Sequence, residues 1–376
     1  MRILVFIHSL SSGGAERVSS TLANHWADKG HQVTLVTIAD RSRDFYRLDP
    51  QIKRLALGME TRSDGFFDAI VNNFRRIWAL YRVLREEKPT VAIAMMPTAN
   101  VTIAISGSLA RIPTIGSERA YPPLMRIGRF WMSARRHVYP LLSGIVAQTK
   151  ESAEWLRANA PAPRIMVIPN PISYPLKEQS SPILAGSVFP QHTDGKVLLA
   201  VGRLVDEKGY DLLLAAFSDI APRHPNWSLI VLGEGELRSK LDALVIDLGL
   251  QNRVFFPGAA GNVGEWYEAA DAFVMTSRFE GFPNTLLEAL SYGLPSLAVD
   301  CKTGPRDMIE SEVNGLLVPQ DDLQALIAGL DRMLGDDALR QRLALNAMDA
   351  RDRYAVPRIA QRWENFIAEV LSGKSK

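Results

Sequence analysis

Short aliphatic and β-branched runs recur through the first half of the chain: RILVFI (2–7), QVTLVTI (32–38), VAIAMM (91–96), PTIGS (113–117) and GIVAQT (144–149). Between them lie longer stretches, such as GGAERVSSTLANHWADKG (13–30), whose apolar positions return every three to four residues. Alternation of the short runs with helical patterns predicts a parallel sheet wound with helices. Ile168 to Lys196 is rich in Pro, Ser and Gly, keeps no period and reads as a linker or hinge. The alternation then restarts with KVLLAVGRL (196–204), YDLLLAAFSDIA (210–221), SLIVLGEG (228–235), RVFFPG (253–258), AFVMTS (272–277), LPSLAV (294–299) and GLLVP (315–319). A second α/β domain is therefore expected. Residues 321–351 read as two helices, and Val356 to Leu371 as a last one with Pro357 near its start. The predicted division is 1–170, a linker at 171–196, 197–355, and a C-terminal helix in 356–376 packing back toward the first domain. Two doubly wound domains across a hinge would hold a ligand in the cleft at the carboxyl ends of their strands.

Length agrees with two domains, since 376 residues exceed what one core usually organises. With 47% hydrophobic and 22% charged residues the composition is that of a globular protein. The single cysteine, Cys301, excludes an internal disulfide framework and fits a reducing compartment. The run Ile3–Ile7 is too short for a signal peptide, and Pro89–Ala110, although uncharged and long enough to span a bilayer, is interrupted by Pro97, Thr98, Asn100, Thr102, Ser106 and Ser108. It reads as strand, turn and helix. A net charge of +2 conceals an asymmetry: residues 1–175 carry 23 Lys and Arg against 13 Asp and Glu, and the remainder 20 against 28. The basic half suits an anionic partner such as a membrane surface, a phosphorylated substrate or nucleic acid.

Four loops after strands carry candidate chemistry. In SLSSGGAERV (9–18), Gly13 and Gly14 open a helix whose start is either a structural turn or an anion site. The spacing is not that of a dinucleotide fingerprint. VGRLVDEKGYD (201–211) offers Arg203 and Lys208, which either grip phosphate oxygens or pair with Asp206 and Glu207. In VLGEGELRSKL (231–241), Glu234 either accepts from a ligand hydroxyl or caps a helix. SRFEGFPNTLLEALSYG (277–293) places Glu280 in a loop and Glu288 about one turn into a helix that ends at Gly293. Eight residues of helix span roughly 12 Å, beyond the roughly 5 to 9.5 Å between the paired acids of glycoside hydrolases. The two acids thus read as clamps on the ends of a long ligand with a negative middle, a nucleotide sugar; Glu288 alone also reads as a carboxylate favouring its helix dipole.

With these loops in order the chain resembles the family 4 retaining glycosyltransferases of the GT-B fold, two Rossmann-like doubly wound domains facing across a cleft. The resemblance runs through SGGAER, GHQVTLVT, IPNPI, GRLVDEKGYDLLLAAF, LGEGELRSKL, EGFPNTLLEALSYGLPSLAVD and NGLLVP. It implies transfer of a sugar from a nucleotide sugar, most often a UDP-sugar, without a metal or other cofactor and with retention at the anomeric carbon. Arg203 and Lys208 match the pair that holds the donor diphosphate, and Glu280 the acid that contacts the donor sugar. Glu288 matches the acid that binds the ribose, and the segment from Ala259 the loop whose backbone meets the base. Gly281, Phe282, Pro283, Asn284, Thr285 and Leu286 match the turn beneath sugar and phosphate, with Glu234 and Gly14 also on the donor side. Gly13, Glu118 and Arg119 fall on the acceptor side; many relatives have a histidine where GSERAYPP (116–123) reads Glu118 and Arg119. A narrower likeness is to bacterial enzymes that extend lipid-linked oligosaccharides with hexose or N-acetylhexosamine, which implies a polyprenyl-diphosphate-linked acceptor.

Two amphipathic helices lie in the basic half. NFRRIWALYRVLREEK (73–88) aligns Phe74, Ile77, Trp78, Tyr81 and Leu84 beside Arg75, Arg76, Arg82 and Arg85. RIGRFWMSARRHV (126–138) aligns Ile127, Phe130, Trp131, Ala134 and Val138 beside Arg126, Arg129, Arg135 and Arg136. Both read either as core helices with solvated charge or as a peripheral contact with anionic lipid on the cytoplasmic face of the membrane. No nucleic-acid-binding motif accompanies the charge. The rival functions are a GT-B nucleotide-sugar epimerase, a non-catalytic nucleotide-sugar-binding protein and, more remotely, a dehydrogenase.

Overall fold

The computed structural model describes residues 1–60, 66–125, 128–179, 182–185 and 195–373. The chain begins with β1 (Arg2–Ile7), α1 (Gly14–Asp28), β2 (Gln32–Thr37), β3 (Lys53–Ala56), α2 (Phe66–Glu87), β4 (Val91–Met95) and α3 (Pro97–Ala110). It continues through β5 (Thr114–Ser117), α4 (Arg129–Val138), β6 (Gly144–Ala147), α5 (Lys150–Asn159) and β7 (Ile165–Val167). A second series follows: β8 (Lys196–Val201), α6 (Tyr210–Ile220), β9 (Trp227–Leu232), α7 (Arg238–Asp247), β10 (Val254–Gly258), α8 (Val263–Ala269) and β11 (Ala272–Met275). It ends with α9 (Asn284–Ser291), β12 (Ser296–Asp300), α10 (Pro305–Met308), β13 (Leu316–Pro319), α11 (Leu323–Gly335), α12 (Asp337–Ala347), α13 (Ala350–Arg353) and α14 (Val356–Leu371). Pro89–Ala110 is thus strand, turn and helix, and no helix among the described residues is long and apolar enough to cross a membrane.

Two compact units result. One comprises Met1–Pro171 together with Val356–Lys376, the other Ile172–Ala355. Each unit is built on a parallel sheet, ordered β3-β2-β1-β4-β5-β6-β7 in the first and β10-β9-β8-β11-β12-β13 in the second. Strand order reverses between β1 and β4 and again between β8 and β11, so each unit has one topological switch point at the carboxyl ends of its strands.

The strands alternate between two cores. In β1, Ile3, Val5 and Ile7 meet Val18, Leu22 and Trp26 of α1 and Ile359, Trp363 and Phe366 of α14. Leu4 and Phe6 meet Leu80 and Leu84 of α2 and Ile103 of α3 on the other face. In β8, Leu198 and Ala200 face α6 and α11, whereas Val197 and Leu199 face α8 and α9. Burial on both faces explains why these strands read as continuous apolar runs.

The described part of 171–196 packs on the second unit. Ile172 bridges Ala355, Gln179 N–H donates to the Gly261 carbonyl at 2.9 Å, and the backbone of Ile183 is held by the Asn262 side chain and by Trp266 Nε1. Composition predicted a linker there; these contacts make 172–179 and 182–185 an edge of the unit, while 186–194 lies outside the described residues.

Candidate active site

Four loops at the carboxyl end of the second sheet are stitched together, and the switch point lies among them. After β8, Gly209 takes a left-handed conformation (φ 63°), and a Cβ there would sit 2.3 Å from the Thr276 carbonyl oxygen. Glycine lets the loop after β8 lie directly on the exit of β11. The Thr276 hydroxyl faces the carbonyls of Lys208 and Gly209 at 3.1 and 3.0 Å, and Arg278 N–H donates to the Glu207 carbonyl at 2.8 Å. The Arg278 guanidinium also grips Asp211 through both carboxylate oxygens. These ties fix Lys208 Nζ 2.6 Å from Glu280 Oε1. The Ser277 hydroxyl donates to the same oxygen at 2.7 Å, and the Thr303 hydroxyl donates to the Glu280 carbonyl.

Arg203 stands on the same loop, exposed and, among the described residues, without an ion-pair partner. Its expected alternative, a surface pair with Asp206 or Glu207, is not formed; Asp206 pairs instead with Arg278. Leu204 N–H donates to the Glu234 carbonyl, and a Cβ at Gly233 would meet the Gly202 carbonyl oxygen at 1.9 Å, so the loops after β8 and β9 are in backbone contact. Glu234 in turn lies beside the loop after β10: a Cβ at Gly258 would sit 2.9 Å from its Oε1, next to the exposed Ala259. Glu234 pairs with Arg238 at 3.8 Å.

The turn 281–286 is anchored from below. Phe282 and Pro283 are buried, Phe282 against Tyr354 with ring centroids 5.8 Å apart, and Pro283 packs on Gly304 where a Cβ would meet its Cδ at 2.4 Å. Asn284 then begins α9, which carries Thr285 and Leu286 and ends before Gly293 in the left-handed region. Glu288 lies inside α9, 1% exposed, and its Oε2 accepts from the Tyr267 hydroxyl at 3.0 Å. Burial pushes the Tyr210 hydroxyl up, with the negative charge of Glu280 adding to it; burial likewise pushes the Cys301 thiol up to about 12. Sequence reasoning passed over Ser277, Tyr267, Thr276 and Thr303. Ser277 and Thr276 adjoin Glu280 in the chain, whereas Tyr267 sits on α8 and carries no signal of its use.

In the first unit Gly13 caps α1 and Gly14 is its first residue. The Glu16 carboxylate curls over that start, with Oε2 2.1 Å from where a Gly13 Cβ would be, and the Tyr46 hydroxyl donates to the Gly13 carbonyl at 3.1 Å. The helix start, open in sequence to either a structural turn or an anion site, thus has a carboxylate of the chain itself over it.

Glu118, expected on the acceptor side, is fully buried, paired with Arg135 at 3.2 Å and accepting from the Tyr139 hydroxyl. Burial raises its carboxyl above the usual range, opposed by Arg135 and Tyr139. Glu118 and Arg135 form an ion pair inside the core of the first unit. Arg119, 8% exposed, has neutral partners, Asn170 Oδ1 at 2.7 Å and Met95 Sδ at 3.2 Å, and lies over the Trp363 ring. Its Nε is buried without a hydrogen-bond partner, and desolvation pushes the guanidinium down to about 9. Neighbouring Met96 holds φ 85°, a strained value at the carboxyl end of β4.

The two basic helices differ. On α2, Ile70, Val71, Phe74 and Trp78 are exposed, Phe74 at 67%, with Arg75, Arg82 and Arg85 exposed beside them, while Leu80 and Leu84 face the core. On α4, Arg135 is consumed by Glu118, and Trp131, Ala134 and Val138 pack partly against the core. Arg126 and Ile127, with the side chains of Arg129 and Phe130, lie outside the described residues.

A Glycosyltransferase Family 4 model matches residues 12–174 and a Glycosyl transferases group 1 model residues 188–349. Over 98% of its length the chain is 29% identical to GalNAc-alpha-(1->4)-GalNAc-alpha-(1->3)-diNAcBac-PP-undecaprenol alpha-1,4-N-acetyl-D-galactosaminyltransferase of Campylobacter jejuni, covering 99% of that protein. Over 97% it is 25% identical to the amylovoran biosynthesis glycosyltransferase AmsD of Erwinia amylovora, again covering 99%. Among solved structures, Anabaena HepE in complex with UDP superposes with a TM-score of 0.76 at 22% identity, and sucrose-phosphate synthase of Thermosynechococcus elongatus with 0.83 at 18%, each over 100% of both chains. Tandem matches to both halves, on two parallel sheets of this strand order, establish the chain as a GT-B glycosyltransferase of the group 1 and family 4 type.

Proposed function

We propose that the protein transfers a hexose or N-acetylhexosamine, with retention, from a UDP-sugar to a lipid-linked glycan. The observation that carries this reading is the meeting of Lys208 with Glu280 at the β8/β11 switch point, with Arg203 on the same loop and without an ion-pair partner among the described residues. Loss of a nucleoside diphosphate from the sugar places growing charge on phosphate. Arg203 and Lys208 supply fixed positive charge for it, and the start of α9 adds its dipole. Since Lys208 is held by Glu280, donor binding on this reading draws the ammonium toward phosphate and leaves Glu280 to a sugar hydroxyl. The departing phosphate then takes the proton of the attacking acceptor hydroxyl on the same face. Arg203 and Lys208 do the work that a divalent metal does elsewhere. Glu234 and the backbone at Ala259 suit a nucleoside, and Glu288 its ribose.

Support for UDP comes from the HepE complex, and for a lipid-linked acceptor from the name of the Campylobacter relative, whose substrate is an undecaprenol-diphosphate oligosaccharide. Arg119 is the acceptor-side residue retained in this reading, because its cation has no carboxylate partner among the described residues. The exposed aromatics and arginines of α2 suit an anionic bilayer, which would bring the unit to its lipid-borne acceptor on the cytoplasmic leaflet. The test is transfer from a panel of UDP- and GDP-sugars to a synthetic polyprenyl-diphosphate glycan, with and without EDTA, followed by the anomeric configuration of the product. Transfer from a UDP-sugar in EDTA with an unchanged anomer supports the reading; an inverted product, or none with any lipid acceptor, refutes it. Flotation with anionic liposomes at low salt tests α2: Phe74→Ser with Trp78→Ser should abolish it, and unchanged flotation would remove α2 from the membrane.

A further inference from the structure

Glu288 lies in a core of Phe273, Leu286, Leu287 and Leu290, where a carboxylate without donors is costly. Among the residues facing it is Tyr267 of α8, itself 1% exposed, whose hydroxyl is 3.0 Å from Glu288 Oε2 and 3.2 Å from the Thr285 carbonyl. A phenol has one hydrogen, and the nearer acceptor, the carboxyl oxygen, takes the larger share of it. The ring is held on two sides, by Tyr292 at 5.5 Å and Phe273 at 6.1 Å between centroids. Tyr267 is thus a fixed arm from a neighbouring helix that sets the rotamer of Glu288 and the height of Thr285, two positions of one turn of α9.

We propose that Tyr267 is a positioning residue for the nucleotide: it pre-orients the Glu288 carboxylate toward the ribose hydroxyls and so sets donor affinity, without touching the donor. This rests on the reading of Glu288 as the ribose contact. The pre-oriented acid loses little freedom on binding. Removing the hydroxyl would leave the chemistry around Lys208 and Glu280 intact.

UDP affinity by calorimetry, with kcat, KM and thermal melts, should be measured for Tyr267→Phe, Phe273→Leu and Glu288→Ala. Phe273→Leu loosens the same aromatic packing and leaves the hydroxyl in place. The expected result is UDP binding weakened about tenfold in Tyr267→Phe, equivalent to about 1.4 kcal/mol, with donor KM raised, kcat within about twofold, and little change in Phe273→Leu. Equal weakening in both variants would reduce Tyr267 to a packing role, and unchanged affinity in Tyr267→Phe would overturn the proposal. If Glu288→Ala weakens UDP while Tyr267→Phe does not, only the positioning role falls. If Glu288→Ala leaves UDP binding intact, the ribose reading falls with it.

Discussion

Lys208 Nζ and Glu280 Oε1 stand 2.6 Å apart, a partly buried ion pair between the loops that leave β8 and β11. Ser277 completes the pair from the carboxylate side. The lysine charge is matched by Glu280, whereas that of Arg203 on the same loop has no ion-pair partner among the described residues. The two cations therefore differ in what their removal disturbs. Lys208→Ala and Arg203→Ala should each lower turnover by about 100-fold, as loss of one charge-stabilising donor does. Arg203→Ala should leave the melting curve almost unchanged, because an exposed unpaired side chain contributes within about 0.5 kcal/mol. Near-normal turnover in both variants would remove the pair from the chemistry.

The two acids of 277–293 should separate kinetically. Glu288→Ala is expected to act chiefly on nucleotide binding and Glu280→Ala chiefly on turnover, read as UDP affinity against kcat at saturating donor. Matching losses in both quantities for both variants would contradict the division.

Gly209→Ala tests whether the loop contact itself matters. A β-carbon at that site meets backbone, not a movable side chain, and the left-handed φ adds strain. Destabilisation of more than about 1 kcal/mol is expected, together with loss of turnover, because Lys208 is the preceding residue. Denaturant titration and kinetics on the same sample would show it; a variant with normal stability would mean the β11 exit can give way.

Glu118→Ala should be a folding variant. It strands the Arg135 guanidinium, 1% exposed, in the core of the first unit, a change that costs about 3–5 kcal/mol. Chemical denaturation should reveal the loss, while donor affinity of whatever remains folded stays normal. Selective loss of acceptor use at unchanged stability would restore Glu118 to the acceptor side.

The sequence pattern and the structure agree where local rules suffice. The turn from β4 to α3 is visible in Pro97, and the end of α9 in Gly293 followed by Pro295. Alternation of strand and helix is enough for two parallel sheets, because each strand is covered on both faces. What failed to show was long-range pairing. Arg135 sits in an amphipathic pattern that counts it with the surface arginines, yet Glu118, 17 residues earlier, holds it inside. Ile183 lies in a Pro- and Ser-rich stretch that looks untethered, yet Asn262 and Trp266, some 80 residues on, hold its backbone. Tyr267 is invisible for the same reason: its partner is an acid on another helix, and no spacing announces the contact.

The α14 helix has a temporal meaning. Ile359, Trp363, Phe366 and Ile367 complete the core around Trp26 and β1, so the first unit is built from two separate segments, Met1–Pro171 and Val356–Lys376, with the second unit inserted between them in the chain. On the ribosome, Ile172–Ala355 emerges as one uninterrupted piece and has all its parts while the chain is still growing. The segment translated earlier must wait, with the α14-facing side of its sheet uncovered, until α14 has left the exit tunnel. Order of synthesis and order of completion are reversed, and the nascent half that needs shielding is the amino-terminal one.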